Sequence, residues 1–295
     1  MEIRLGQEQV YESIRPAFDA MGGHVDIQTD FMERLEIVAV TEGLKPAFYA
    51  IAPEGTRRNL FEAVAAALPS TAGMKGFVEA SIHTRYRDLK LPADVAKIVD
   101  RKSRDPAQIF WLTKDDAIAA RFSDGQLDQI DHDIAGYPAC CATWHYDTFF
   151  ARSIEAFWDV YSFKSEAERK AYVGEVWEQS SGWFLPRSHY LIGIYRSNLA
   201  YPFIPHIACP RCLADKDSAS AQQHKTYSQL ALRVDPDRHA AVLAWAEDMR
   251  PMLTNLVSNA RQDAALTSDE YGFEGRDKDD FQRHSRYLLK ALGVA

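Results

Sequence analysis

The chain has 295 residues, 46% of them hydrophobic, and 42 Asp and Glu against 34 Lys and Arg give a formal charge of −8. That excess of acid disfavours broad contact with a phosphate backbone, and no run of about 18 apolar residues is present to span a bilayer. Residues Met1 to Gln7 lack the basic and then apolar pattern of a secretory leader, so the sequence predicts a cytoplasmic protein with no nucleic-acid and no membrane partner.

In chain order, Val10, Ile14, Ala17, Phe18 and Met21 recur at helical spacing and predict an amphipathic helix over 7–21, stopped by Gly22-Gly23. Short β-rich runs at Glu36 to Val40 and Ala47 to Ile51 read as strands. A helix over Arg57 to Leu68 follows, with Leu60, Phe61, Val64 and Leu68 on one face. Gln108 to Leu112 reads as a further strand, with helical stretches from Asp115 and over 125–134. From Gly136 onward the pattern is mainly helical, clearest at Ser153 to Tyr161, Ser165 to Gln179, Pro236 to Asp263 and Asp279 to Leu292. Asp235 before Pro236 predicts an N-cap, and Pro251 is expected to kink or divide the helix that contains it. Residues 182–212 are rich in aromatics and proline and fit no single period, which predicts an irregular buried connection. Polar residues 266–281 predict a mobile surface loop. The fold class is therefore α+β: a mixed α/β region over 1–135 and a mainly helical metal-binding region over 136–295, or one continuous domain of both.

The chemistry concentrates in the cysteines. The chain has only four, as the vicinal pair Cys140-Cys141 and as Cys209-Pro-Arg-Cys212. That is too few for a disulfide scaffold. Gly136-Tyr137-Pro138 leads into a helical pattern, which predicts both vicinal sulfurs in a first helical turn, where free N–H groups favour the thiolate that ligates metal. In Cys-x-x-Cys two intervening residues let both sulfurs converge on one centre. The four are expected to act as one metal-binding unit with all sulfurs within about 7 Å. A [4Fe-4S] cluster is the first choice, because metals spread over several ångströms suit a vicinal pair. Zinc, a redox dithiol system and unrelated buried thiols are the alternatives.

A vicinal Cys-Cys followed far downstream by Cys-x-x-Cys is similar to the [4Fe-4S] ligand set of assimilatory adenylylsulfate reductases. The chain has no Ser-Gly-Gly-x-Asp-Ser phosphate loop, so the resemblance implies the ligand pattern and not the substrate. The Gly-Tyr-Pro-x-Cys-Cys box, with a Pro/His/Cys-rich box downstream, also resembles a group of uncharacterised prokaryotic proteins. That resemblance implies that Cys140, Cys141, Cys209 and Cys212 work together.

Around these elements His206, His145 and Tyr190 are candidate proton donors or acceptors, while Arg196, Arg211 and Tyr195 are candidates for gripping an anionic substrate. Dinucleotide, P-loop, serine-hydrolase and zincin motifs are absent. The sequence thus predicts an iron–sulfur enzyme, an oxidoreductase or lyase. It would act on a small anionic metabolite by redox, dehydration or sulfur-transfer chemistry, with an electron-donor protein as a partner. The alternative is a non-catalytic module whose zinc or cluster serves binding or assembly.

Overall fold

The computed structural model describes residues 7–20, 27–53, 56–68, 71–77, 107–123, 132–152, 164–171, 187–265 and 276–294, and the single positions 93, 155 and 158. It is mostly helical with a small antiparallel sheet. The N-terminal half contains α1 (Gln7–Asp19), α2 (Ile27–Thr41), β1 (Ala47–Pro53), α3 (Thr56–Ala67), β2 (Thr71–Phe77), β3 (Ala107–Thr113), α4 (Asp116–Ser123) and α5 (His132–Ala135). The C-terminal half contains α6 (Ala139–His145) with a π-helical turn (Tyr146–Ala151), α7 (Arg187–Ala200), α8 (Pro210–Ala214), α9 (Ala219–Val234), α10 (Pro236–Ala265) and α11 (Arg276–Ala291).

The segment Glu36 to Val40, expected as a strand, is the last part of α2. A short apolar run does not distinguish a buried strand from a buried helix. Here burial on every face decides, since α2 is buried at eleven of its fifteen residues, in contact with α1, the sheet, α9 and α10. Its end is a Schellman closure, with Gly43 N donating to Val40 O and Leu44 N to Ala39 O, and Gly43 takes the left-handed φ of +73° that this turn requires.

The sheet has order β1-β3-β2, with Ala47 opposite Thr113 in one pair and Thr71 opposite Thr113 in the other. Both faces of central β3 are covered. Phe110 and Leu112 point into the main core, where Phe110 stacks on Phe61 at 4.7 Å, while Trp111 faces the other way and stacks on Phe122 at 5.5 Å. Asp115 caps α4, its Oδ1 accepting from Ala117 N at 2.8 Å.

The main core crosses the chain's midpoint. Residues of α1, α2, α3 and the sheet join Phe203 and, from α9 and α10, Tyr227, Leu230, Val234 and Val242. Phe203 stacks on His239 at 4.7 Å and lies edge-on to Phe31 at 6.5 Å. A partly buried ion cluster clasps the same elements: Arg34, 1% exposed, and Arg238 share the carboxylates of Asp19 and Asp30, with every contact between 2.8 and 3.0 Å. A second cluster joins α7, α10 and α11 through Ile192, Ala260, Leu288 and Leu292, with Trp144 and Ile207 packed against it.

Three further expectations are corrected. Residues 187–200, placed in an irregular connection, form α7; 201–209 is irregular before α8, and 182–186 lie outside the described residues. Pro251 does not divide α10, which runs through it for 30 residues. Residues 276–281 belong to α11, so the expected loop loses its last six residues; 266–275 lie outside the described residues. Most of the helices expected over 153–161 and 165–179 also lie outside them, as do Gly22-Gly23 and most of 125–134. Among the described residues no helix is long and apolar enough to cross a membrane.

Candidate metal centre

Gly136 turns the chain at φ +66°, a conformation open to glycine, and its carbonyl accepts from Gln223 Nε2 of α9 at 3.1 Å. Pro138, at ψ 126°, stands just outside α6, and its carbonyl accepts from Cys141 N and Ala142 N. Cys140 and Cys141 therefore occupy the first turn, with Pro138 at the cap position and not at the first helical one. The second pair repeats the arrangement: Cys209 caps α8 in extended backbone, Pro210 opens the helix, and Cys212 lies in the first turn. Three elements meet here, because the N-terminus of α9 closes on the same point. Ser218 Oγ caps it by accepting from Ala221 N at 3.2 Å, and also donates to Cys212 O at 2.9 Å.

The four thiols converge as expected. Every sulfur lies within 4.8 Å of every other. Cys140 Sγ is 3.5 Å and Cys141 Sγ 3.6 Å from Cys212 Sγ, and Cys209 N donates to Cys141 Sγ at 3.4 Å. Cys141, Cys209 and Cys212 are buried with Ile204 and Ala208, whereas Cys140 is exposed. A tetrahedral ion with metal–sulfur bonds near 2.3 Å sets its sulfurs about 3.8 Å apart. The observed spacing fits a donor set of this kind, so these residues could hold a metal ion.

The thiols are not equivalent. Burial pushes Cys141 up, and partial desolvation with the neighbouring Cys212 and Cys209 sulfurs raises the exposed Cys140; Cys212 is brought down to about 7, its own burial opposing ionisation but the neighbouring Ser220, Cys140 and Cys141 outweighing it by favouring the thiolate. A metal would thus meet one thiol ready to ionise, and each further ligand must release a proton on binding.

Of the other candidate residues, His206 lies beside the centre, its Nε2 2.9 Å from Ser220 Oγ and its ring 5.5 Å from that of Tyr137. Part of the residue reaches the surface, but Nδ1 is buried and has no hydrogen-bond partner among the described residues. Burial, with the charges of Lys45 and His145, lowers its pKa to about 3. His145 ends α6 half-buried. Arg211 is exposed on α8. Arg196 is half-buried on α7, and a Cβ on Gly293 would lie 3.5 Å from its Nη1, which places the guanidinium at the turn after α11. Tyr195 is half-buried on α7; the side chain of Tyr190 lies outside the described residues, as do those of Arg187 and His189. Tyr201, beyond α7, donates to Cys212 O at 2.8 Å.

Sequence reasoning missed Ser220 and Lys45. Lys45 Nζ donates to Glu36 in a buried pair and lies 5.3 Å from the centre of the Tyr137 ring. The start of the Ser220 helix was readable, since Asp215, Asp217 and Ser218 follow directly after the second cysteine pair, but the contact of Ser220 with Cys141 was not. Comparison of the chain with family models, with curated proteins and with solved structures finds no match.

Proposed function

We propose that the chain is a metal protein in which one thiolate-bound ion, zinc as the first choice, fastens the Cys140 helix to the Cys209 turn and serves a structural role. One observation carries this reading: four sulfurs from segments 68 residues apart lie within 4.8 Å, close to the edge of a single tetrahedral site. Soft thiolates in a tetrahedral set select zinc or iron over hard cations. When bound, such an ion supplies a fixed charge that holds four thiolates together. The chain's own part is to present them: Pro138 and Pro210 start the two helices, Cys209 N–H and Ser220 donate to the sulfurs, and Ile204, Ala208 and Trp144 keep water from three of them. Four protein ligands leave no open coordination position, which favours a structural over a Lewis-acid role. The thiolates need a reducing compartment, in keeping with a cytoplasmic location.

A second reading, the iron–sulfur enzyme acting on a small anionic metabolite, is supported by the vicinal pair and by Cys140, whose exposed side can swing outward to widen the set. A polynuclear cluster binds each thiolate to a different iron and spaces the sulfurs further apart than one ion does. Metal analysis of anaerobically purified protein, with its absorption spectrum, separates the two. One zinc per chain and no colour is the expected result; about four irons with a broad band near 400 nm would establish the second reading.

A further inference from the structure

Behind the sulfurs runs a short polar chain. Ser220, fully buried at the second position of α9, places its Oγ 3.3 Å from Cys141 Sγ and 2.9 Å from His206 Nε2. Ser220 also favours the thiolate of the neighbouring Cys212, whose pKa it helps to lower. One residue therefore links a cysteine sulfur to His206, from an element that carries no cysteine.

The direction of these bonds follows from the chemistry. A metal-bound thiolate can only accept, so the proton between Ser220 and Cys141 belongs to the hydroxyl. The hydroxyl oxygen then accepts from His206, which fixes the imidazole proton on Nε2. Nδ1 is left as a buried lone pair without a partner among the described residues, and the enclosed site favours the neutral ring that this tautomer requires.

We propose that Ser220 and His206 are positioning residues of the metal centre, Ser220 donating to the Cys141 sulfur and His206 aiming its hydroxyl. This rests on the reading of the four cysteines as one metal site. A hydrogen bond to a thiolate lowers the energy of its donor electrons, so the pair weakens charge donation from sulfur to metal while fixing where the sulfur points.

Cobalt(II) reports this directly, because a thiolate–cobalt site absorbs strongly in the near ultraviolet at an energy set by the sulfur donor orbitals. The full chain is titrated with cobalt(II) alone, with circular dichroism as the check of folding. Ser220→Ala is expected to move the band to longer wavelength and to weaken cobalt binding by about tenfold or more. Ser220→Thr, which keeps the hydroxyl, should leave both near the wild-type values. His206→Leu should move the band the same way by less, and His206→Gln, which can still offer an N–H to Ser220, should not. A band that stays in place in both Ser220→Ala and His206→Leu with cobalt bound overturns the inference; should Ser220→Ala fail to fold, the two His206 variants decide it. A wild-type chain with no thiolate–cobalt band overturns the metal reading itself, a failure visible before any variant is compared.

Discussion

The core beneath α2 collects apolar side chains from α1, α3, the sheet, α9 and α10, whereas the cluster around Cys141 has only Ile204, Ala208 and the cysteines themselves at its buried centre. A fully buried Phe or Leu contributes about 1.5–3 kcal/mol, so the packed rings of Phe48, Phe61 and Phe110 can hold the first region by apolar burial. The second region has little such surface and joins three helix starts, with Cys209 N donating to Cys141 Sγ. Burial makes the Cys141 thiol reluctant to ionise, so a metal must displace its proton to bind there. One region is closed by its own side chains; the other needs something that takes four thiolates at once.

Breaking the first region should cost most. Asp30→Ala removes a carboxylate shared by Arg34 and Arg238 and leaves the buried Arg34 with Asp19 as its remaining ion pair. Loss of a partner from a buried ion pair costs about 3–5 kcal/mol, so denaturant unfolding should show a drop of that order. Metal content per folded chain should not change. Chelation, or Cys209→Ser, should act on the second region alone. With metal at about a hundredfold over its dissociation constant the expected loss is about 2.7 kcal/mol. Hydrogen exchange should quicken over 136–145 and 206–222 while 27–41 keeps its protection, and uniform acceleration along the chain would show that the regions do not differ in this way.

Acid should sharpen the contrast by a smaller amount per pH unit. His206 binds a proton near pH 3 when folded and near 6.5 when unfolded, so the unfolded state takes up more protons between those values. Stability therefore falls as pH drops through this window, by up to about 1.4 kcal/mol per pH unit from this group. Cys212, lowered to about 7, acts in a separate window: its contribution is present above the ordinary thiol value and is lost as pH falls towards 7. In metal-free protein His206→Gln should flatten the slope below pH 6.5, leaving the shallower part due to His224 and His239, which burial also lowers. An unchanged slope would mean that His206 is not held neutral. The smallest effect is kinetic. Alkylation of reduced, metal-free protein should modify Cys140 first, since the other three sulfurs are buried, and peptide mass spectrometry gives the order.

The cysteine unit was legible because its signals are local and chemical: a Gly-Tyr-Pro turn, two prolines at helix starts, and cysteine used nowhere else. The strands at Ala47 and Gln108 were legible from their β-rich runs. The segment Glu36 to Val40 was not, because only its neighbours on every side make it a helix. Pro251 left a kink or a division open, and α10 continues through it undivided. β2 contains Gly73 and Gly76, which weaken a strand pattern, and only pairing with β3 reveals it. Ser220 was hidden for another reason: a serine two residues into a helix is ordinary, and its place against Cys141 depends on how α9 packs.

The most direct test of the central claim is the metal content of the wild-type chain beside that of Cys209→Ser, both expressed with zinc and iron supplied and purified without oxygen. The expected result is about one zinc per wild-type chain, no absorbance near 400 nm, and a variant that has lost the ion. A wild-type chain without stoichiometric metal, or a variant that keeps its full complement, would contradict it.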